Sequence, residues 1–487
     1  MKPRYPLLTG LVVLALLMHG LVWLVHGTLM VSGPYEIDFG EGPVLQLAYQ
    51  VHQGEPLYRS LDEPPFQACL YTPLYIGLAS LLQGEQPNLG AARALSALAT
   101  LVTAAATAVA LKKRHGWLVS LTFLALFLGH ALTLNWSFYC RVDTLALMFS
   151  VLGLLAAAPD WRRPLAQEAA VALCLSMAVL TKQSFLAAPV AIFLLWLPRP
   201  LRALRLVVLC VLFTGLTLLW LNASSQGQLF NQLFRYNALP YYVHQMTGYL
   251  KGYTASAGCL MGLALLGVLP AWRSERVFLL YTLTSLGIVL GSGRMFSWYN
   301  YFLELQLALA VLAALAVQRW ASDPVTRGAV ALLLAGQLFW LGFTSDLNGT
   351  YLEPASDRYK QEVWPVLSGR TPARVQDRID QARRLKEMLE QHPGPLLAEY
   401  SALPLCLGRT SWLCDPSTYC ALSGLGWWNQ KLLTDQFEER RFDLILLTWK
   451  ENSPHFTREA MEALKANYVE VGHTGGTGAM YYFVPRP

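Results

Sequence analysis

The sequence predicts a mainly α-helical, polytopic membrane protein that carries a small α/β domain at its C-terminal end. Three observations lead there. The first is composition: 54% of the 487 residues are hydrophobic and only 14% are charged, where a soluble globular chain carries about 25% charged residues. The second is a series of long apolar runs, many near the roughly 20 residues needed to cross a bilayer. The third is the uneven division of the rare charges. Residues 1–345 hold 21 Lys and Arg against 13 Asp and Glu, a balance of +8, whereas residues 346–487 hold 16 against 18, a balance of −2. Residues 1–345 therefore read as a slightly basic bilayer module and residues 346–487 as an ordinary water-soluble domain. The same figures exclude a disordered chain, a collagen and a small disulfide scaffold.

Apolar runs near 7–31, 93–111, 116–134, 144–158, 168–181, 184–197, 205–222, 256–272, 277–291, 299–318 and 327–344 read as about eleven spans. The pair 168–181 and 184–197 reads either as two spans or as one kinked helix, and the charge pattern decides. Lys2 and Arg4, Lys112–Arg114, Arg162 and Arg163, Arg199, Arg202 and Arg205, Arg273 and Arg276, and Arg319 and Arg327 fall in alternate loops only if 168–197 crosses twice. By the positive-inside rule these segments are cytoplasmic. The N-terminus is then cytoplasmic and the C-terminal domain extracytoplasmic, in a multi-pass protein of the plasma (inner) membrane. The first run is too long for a signal peptide and lacks a small-x-small cleavage site, so it reads as a retained span. The run 70–83 (LYTPLYIGLASLLQ) is too short to cross and reads as an interfacial helix. Loop 32–92 becomes a long outer segment of membrane-lying helices.

In the tail, ARVQDRIDQARRLKEMLE (373–390) has the apolar spacing of an amphipathic helix. PLLAEY (395–400) and FDLILLTW (442–449) read as buried strands, followed by a helix near 456–467 and a terminal hairpin around GGTG. Trp427 and Trp428 suit a sugar site or, more simply, the domain core.

The polar residues of the bilayer module mark the candidate site. Asp38 and Glu41 stand three apart in GPYEIDFGEGPVLQLAYQ, directly after the first span. One helical turn would place both carboxylates on one face, and isolated carboxylates at a bilayer are costly and usually functional. A solvated acidic loop or helix-capping charges is the plainer alternative. Arg141 and Asp143 lie at the outer mouth of the third and fourth spans, either as a local ion pair or facing the same cavity as Asp38. Lys182, in TKQS, either snorkels to the interface or serves as a point charge for a lipid phosphate. Arg93 and Arg294 are outer cations with the same two readings. In GRMFSWYNYFLEL, an aromatic belt explains Trp298, Tyr299 and Tyr301 but not Asn300 beside them or Glu304 inside a span. Tyr236, Tyr241, Tyr242, His244 and Tyr249 would suit a sugar or a headgroup layer.

No glycine-rich phosphate loop, dinucleotide fingerprint or HExxH motif occurs. Asn135, Asn222 and Asn348 head weak glycosylation sequons. Cys174, Cys210 and Cys259 read as packing residues in spans. Cys406, Cys414 and Cys420 lie in the exported domain, where disulfides persist, and an odd three leaves one unpaired unless it reaches Cys69 or Cys140.

Taken in order, DFGEGPVLQLAYQVHQGEPLY, YTPLY, ARALSAL, RVDTLALMFSVLGL, TKQSFLAAP and WYNYFLEL resemble the glycosyltransferase C superfamily. The likeness is greatest to transferases related to the aminoarabinose transferase of lipid A and to protein O-mannosyltransferases. It implies a polyprenyl-phosphate-linked sugar as donor and a glycan, lipid or protein acceptor. It also implies an acid of the first outer loop as base, best matched by Asp38, and a second acid at a span mouth, matched by Asp143. One departure stands out: where many members have Asp-Glu-Gly, this chain has Gly40-Glu41-Gly42, with Asp38 two residues earlier, so both Asp38 and Glu41 remain candidates. The reaction expected is inverting displacement on the extracytoplasmic face. Arg93, Arg141, Lys182, Arg294, Tyr299, Asn300 and Glu304 would hold the donor. A divalent metal between Asp38 and Asp143 is conceivable, and no other cofactor is expected. Membrane lipids are partners; nucleic acid is not. The competing readings are a transporter or flippase of a lipid-linked or polar substrate, which calls for broken helices, mid-span charges and internal symmetry, and an inactive scaffold displaying its tail.

The topology makes a direct prediction. Alkaline phosphatase fused after residue 346 is active in cells; an inactive fusion refutes the outside C-terminus.

Overall fold

The computed structural model describes residues 5–33, 35–158, 161–344, 353–449, 453, 455–475 and 479–487. Lys2, Arg4, Asn348 and positions 476–478 of the expected hairpin turn lie outside them. Eight helices among the described residues are long and apolar enough to cross a membrane: Pro6–Ser32, Leu89–His115, Pro164–Thr181, Pro200–Ser224, Val243–Ser274, Arg276–Gly293, Tyr299–Trp320 and Pro324–Thr344. Three shorter apolar helices, Trp117–Leu128, Asp143–Ala157 and Ala187–Trp196, coincide with the remaining expected spans. The molecule is a multi-pass membrane protein.

Two boundaries follow from local chemistry. The run 116–134 breaks at Gly129, where a Cβ would lie 2.7 Å from the His19 ring. His130 then caps a new short helix, Ala131–Trp136, by accepting from the Leu132 N–H. The run 168–197 is two helices rather than one kinked helix, because Lys182 adopts an extended conformation (φ −152°, ψ 117°) after Thr181.

Helix Tyr299–Trp320 forms the axis of the bundle, and its most apolar 18-residue stretch is wholly buried. Val243–Ser274, Trp117–Leu128 and Arg276–Val289 surround it. Close approach depends on Gly267, whose Cβ would stand 1.9 Å from the Leu312 carbonyl oxygen. Small residues of this kind let helix backbones meet where lipid offers no hydrophobic driving force. At the other extreme, Pro200–Ser224 is mounted on the outside, with 6% of its apolar stretch buried.

Loop 32–92 holds two short helices, Glu41–His52 and Leu74–Ser80, the second within the run expected to be interfacial. The tail forms helix Ala373–Gln391 and a four-stranded sheet in the order β1-β2-β4-β3. Here β1 (Leu396–Ala398) pairs in parallel with β2 (Leu444–Leu447). Strand β4 (Tyr481–Pro485) pairs antiparallel with both β2 and β3 (Tyr468–His473). Helix Arg458–Asn467 precedes β3. Trp428 is buried and donates its indole N–H to the Leu61 carbonyl at 3.0 Å, so it packs rather than lines a sugar site. All eight cysteines are free thiols.

Loop and tail share one core. Leu61, Phe66 and Ala68 pack with Leu397, Tyr419, Leu422 and Phe437. Phe66 also exchanges backbone hydrogen bonds with Trp412 (2.9 Å) and Cys414 (3.0 Å). The charge-based division near residue 345 is thus crossed in space by the first loop.

The Gly267 contact is testable. Gly267→Val should destabilise the bundle by about 1–3 kcal/mol through overpacking, read as a lower melting temperature in detergent, whereas Gly10→Val, with open space around it, should not.

Candidate active site

The acids after the first span do not share one role. Glu41 is fully buried. Its Oε1 accepts from Arg93 Nε and the Cys140 N–H, both at 2.8 Å, and its Oε2 accepts from Arg93 Nη2 at 2.7 Å and the Ile37 N–H at 2.9 Å. The other N–H groups of Arg93 go to the carbonyls of Met30 (2.7 Å), Gly33 (3.1 Å) and Tyr35 (2.8 Å). A guanidinium has five N–H donors, and here all five are engaged. Burial works against the charge on Glu41, but Arg93 and the two backbone N–H groups more than offset it and hold the carboxyl below its usual range. Arg93 thus has no donor left for a donor phosphate.

Glu36 is also buried and faces the tail, where its Oε1 accepts from the Ala402 N–H at 3.2 Å. Burial pushes its carboxyl well above the ordinary value, with that N–H opposing.

Asp38 differs. Its side chain keeps 15% of its surface, against none for Glu41 or Asp143. Its Oδ2 accepts from Arg141 Nη1 at 3.0 Å and from the Gly40 N–H at 3.1 Å. Burial raises its carboxyl from the ordinary value, opposed by Arg141 and reinforced by Glu41. The arginine also explains the glycine found where the resembled family has an acid: a Cβ on Gly40 would stand 1.4 Å from Arg141 Nη1.

Arg141 continues to the second acid, its Nε lying 3.9 Å from Asp143 Oδ2. Asp143 Oδ1 receives Lys182 Nζ at 2.5 Å and Asn300 Nδ2 at 2.9 Å. Lys182 Nζ lies 5.1 Å from the Tyr301 ring centroid, and Arg141 lies 5.9 Å from that of Tyr71. Three segments remote in sequence therefore converge on one alternating row: Asp38, Arg141, Asp143, Lys182. Asp143 opens its helix and Lys182 closes the next, so both stand at the same end of the bundle. Among the described residues, Asp143 Oδ2 and Asn300 Oδ1 accept no hydrogen bond.

The remaining candidates lie at the edge of this row or behind it. Arg294 is half-buried, with Nη1 3.4 Å from the Asn237 carbonyl. Tyr299 is buried against Tyr249 and Phe302. Glu304 is buried and accepts from the Tyr281 hydroxyl at 3.2 Å. These two sit in the core behind the row. The residues do not fit a metal between Asp38 and Asp143. Among the described residues no three His, Cys, Asp or Glu gather as metal ligands, and the Arg141 guanidinium stands between the two acids.

The tail contributes a side that no motif signals. The His455 ring stacks on Phe39 at 4.5 Å between centroids and 3° between planes, and Tyr400 meets Phe39 edge-on at 5.3 Å. His455 contacts Ser417 Oγ through Nδ1, with Nε2 3.9 Å from Glu399 Oε1. Burial lowers its pKa, with Glu399 and Asp415 opposing. The residue next to Asp38 is thus held by the domain farthest from it in sequence.

This architecture belongs to a known class of membrane fold. Over 98% of each chain, the structure matches ArnT from Cupriavidus metallidurans with a TM-score of 0.64 at 13% identity, in the apo state and bound to undecaprenyl phosphate. The apo Archaeoglobus fulgidus oligosaccharyltransferase matches with a TM-score of 0.56 at 11% identity, over 98% of this chain and 74% of that one. The mycobacterial arabinofuranosyltransferase AftD matches with a TM-score of 0.51 at 14% identity, over 99% of this chain and 42% of that one. No family model and no curated protein matches the sequence. The chain has the glycosyltransferase C fold.

The contrast between the two loop acids predicts separable effects. Glu41→Gln should cost about 3–5 kcal/mol by leaving Arg93 buried without its counter-charge, seen as a marked drop in melting temperature and yield. Asp38→Asn should melt close to the wild type. Equal melting temperatures for the two variants would contradict these assignments.

Proposed function

We propose that this protein is a membrane glycosyltransferase. It moves a sugar from a polyprenyl-phosphate donor to an acceptor hydroxyl on a glycan, lipid or protein at the extracytoplasmic face. The observation that carries the reading is Asp38: a carboxylate with open surface, next to Arg141 and one residue pair away from Lys182, on a fold shared with a transferase solved with undecaprenyl phosphate.

The chemistry follows from this row of charges. The acceptor hydroxyl gives its proton to the Asp38 carboxylate, and proton transfer of this kind contributes typically about 10²–10⁴ in rate. The hydroxyl oxygen forms a bond to the anomeric carbon. The bond from that carbon to the lipid phosphate oxygen breaks on the opposite side, so configuration inverts and the electron pair leaves on the phosphate. A lipid phosphate is a competent leaving group without a nucleotide. Lys182 and Arg141 are the fixed cations for its charge, which costs little reorganisation during reaction. Asp143 and Asn300 orient Lys182, and Glu41 with Arg93 supports the loop rather than reacting.

Two measurements test this reading. With radiolabelled polyprenyl-phosphate sugars and reconstituted protein, Asp38→Asn should lose about 10²-fold or more of transfer activity, and full activity would remove Asp38 as the base. The pH profile carries a sign. A base with a raised pKa becomes protonated, and activity is lost, at higher pH than for an ordinary carboxylate. In wild type the positive charge of Arg141 opposes that rise. Arg141→Gln should therefore move the acid limb to higher pH; an unmoved limb would show that the Arg141–Asp38 pair does not set it.

A further inference from the structure

The first helical stretch of the tail among the described residues is turned inside out for a domain in water. Residues 355–367 run through Ala355–Arg358, Tyr359–Val363 and Trp364–Leu367. A helix of a water-soluble domain buries its apolar stripe and exposes its charges. Here the charges point inward. Arg358 and Glu362, one turn apart, are both buried, with Arg358 Nη1 3.2 Å from Glu362 Oε1. Glu362 Oε2 meets His26 Nδ1 at 2.9 Å, and Arg358 Nη2 donates to Asn135 Oδ1. The outward stripe carries Lys360, Trp364 and Leu367, spaced four and three positions apart, with Val366 beside them. Trp364 is 61% exposed and Leu367 58%.

The partner of Glu362 fixes the depth of this stretch. His26 lies six residues before the end of span Pro6–Ser32, roughly 9 Å along its axis. A span of 27 residues is about 40 Å long against roughly 30 Å of hydrocarbon, so about 5 Å projects at each end when it is centred. His26 then stands about 4 Å inside the hydrocarbon edge, at the end where the chain continues to Asp38. Ala355 and Val363 share one apolar cluster with Val22 and Met30 of that span. Tyr359 meets Phe343 at the end of span Pro324–Thr344, with ring centroids 6.4 Å apart. The residues beside these contacts already face outward: Leu24, two before His26, and Trp340, three before Phe343, are both largely exposed. The outward stripe thus continues the lipid-facing surface of the two spans. In water, Trp364, Val366 and Leu367 gain nothing from their exposure. At the boundary between headgroups and acyl chains the same face is favourable. Tryptophan prefers that level, a membrane-lying helix sinks its apolar face about 5–10 Å into it, and Lys360 can extend its ammonium to the headgroups.

We propose that residues 355–367 form a membrane-lying anchor whose Trp364, Val366 and Leu367 insert into the leaflet at the Asp38 end of the bundle. The tail then rests on lipid as well as on the first loop. The occupant of this face is phospholipid, and the inference does not depend on the transfer reaction proposed above.

The test uses the full-length protein in phosphatidylcholine nanodiscs that include a phosphatidylcholine with a diazirine midway along one acyl chain. After illumination, lipid adducts are mapped to peptides by mass spectrometry. Residues 364–367 should carry adducts, as should helix Pro200–Ser224, whose apolar stretch is almost unburied. Trp364→Ser combined with Leu367→Ser should lower the adducts on 355–367 at least about fivefold, because two large apolar side chains no longer favour the acyl layer. Adducts on Pro200–Ser224 should stay unchanged in that variant, which shows that it is folded and inserted. No wild-type adducts at 364–367 while Pro200–Ser224 is labelled overturns the proposal, and so does an unchanged yield in the folded variant. A photoreactive benzoylphenylalanine introduced at position 367 should attach to lipid. Attachment to a second copy of the chain instead would make this face a protein interface and overturn the proposal as well.

Discussion

The buried pair of Arg93 and Glu41 is the interaction on which the rest of this end of the molecule depends. Two charges taken out of water are tolerated only when their geometry and hydrogen bonds are complete, and here they are. Arg93 binds the carbonyls of Met30 and Gly33 at the end of the first span, the carbonyl of Tyr35 in the loop, and Glu41 at the start of the next helix. Glu41 in turn holds the Cys140 N–H, one residue before Arg141. One ion pair thereby fixes the first span, the outer loop, the second span and the segment leading to Asp143. A buried pair of this kind adds little net stability over an apolar replacement, but removing one partner is expensive. Its effect here is to specify a single arrangement of four segments.

Asp38 inherits its position from that arrangement. The loop turns tightly enough that Gly40 leaves room for the Arg141 guanidinium, which then meets Asp38 on one side and Asp143 on the other. The tail closes the loop from above, through Glu36 on the Ala402 N–H and Phe39 between His455 and Tyr400. The candidate base is therefore a largely buried group with a small open surface on a rigid frame, with a neighbouring cation that moderates the effect of its burial. A group meant to accept a proton and then give it up needs both conditions.

Much of this was legible in the sequence. Hydropathy located the eight long and three shorter apolar helices seen among the described residues, because chain length and desolvation cost act locally along a helix. The acids after the first span, and Arg141, Asp143, Lys182 and Asn300, drew notice because polar groups beside apolar runs need a reason to be there. Sequence could not divide their labour. Asp38 and Glu41 are three residues apart and chemically alike, and the difference between them is set by Arg93, 52 positions after Glu41. Arg93 itself looked like an exposed phosphate ligand, since nothing in ARALSAL shows that its five donors are spent. Tyr299 and Glu304 looked like ligands for the same reason and lie in the core. His455 carried no signal, because it reaches Phe39 across more than four hundred residues.

The sequence by itself determined the membrane class, the number and order of the apolar helices, and the α/β character of the tail. Each of these depends on periodicity and on the cost of placing charge in lipid, which neighbouring residues settle among themselves. Only the tertiary structure decided which carboxylate keeps open surface, which cations are spent on holding the loop, and that the tail reaches the loop beside Asp38. Those outcomes depend on contacts between segments far apart in the chain, where burial and ion pairing are properties of the assembled fold.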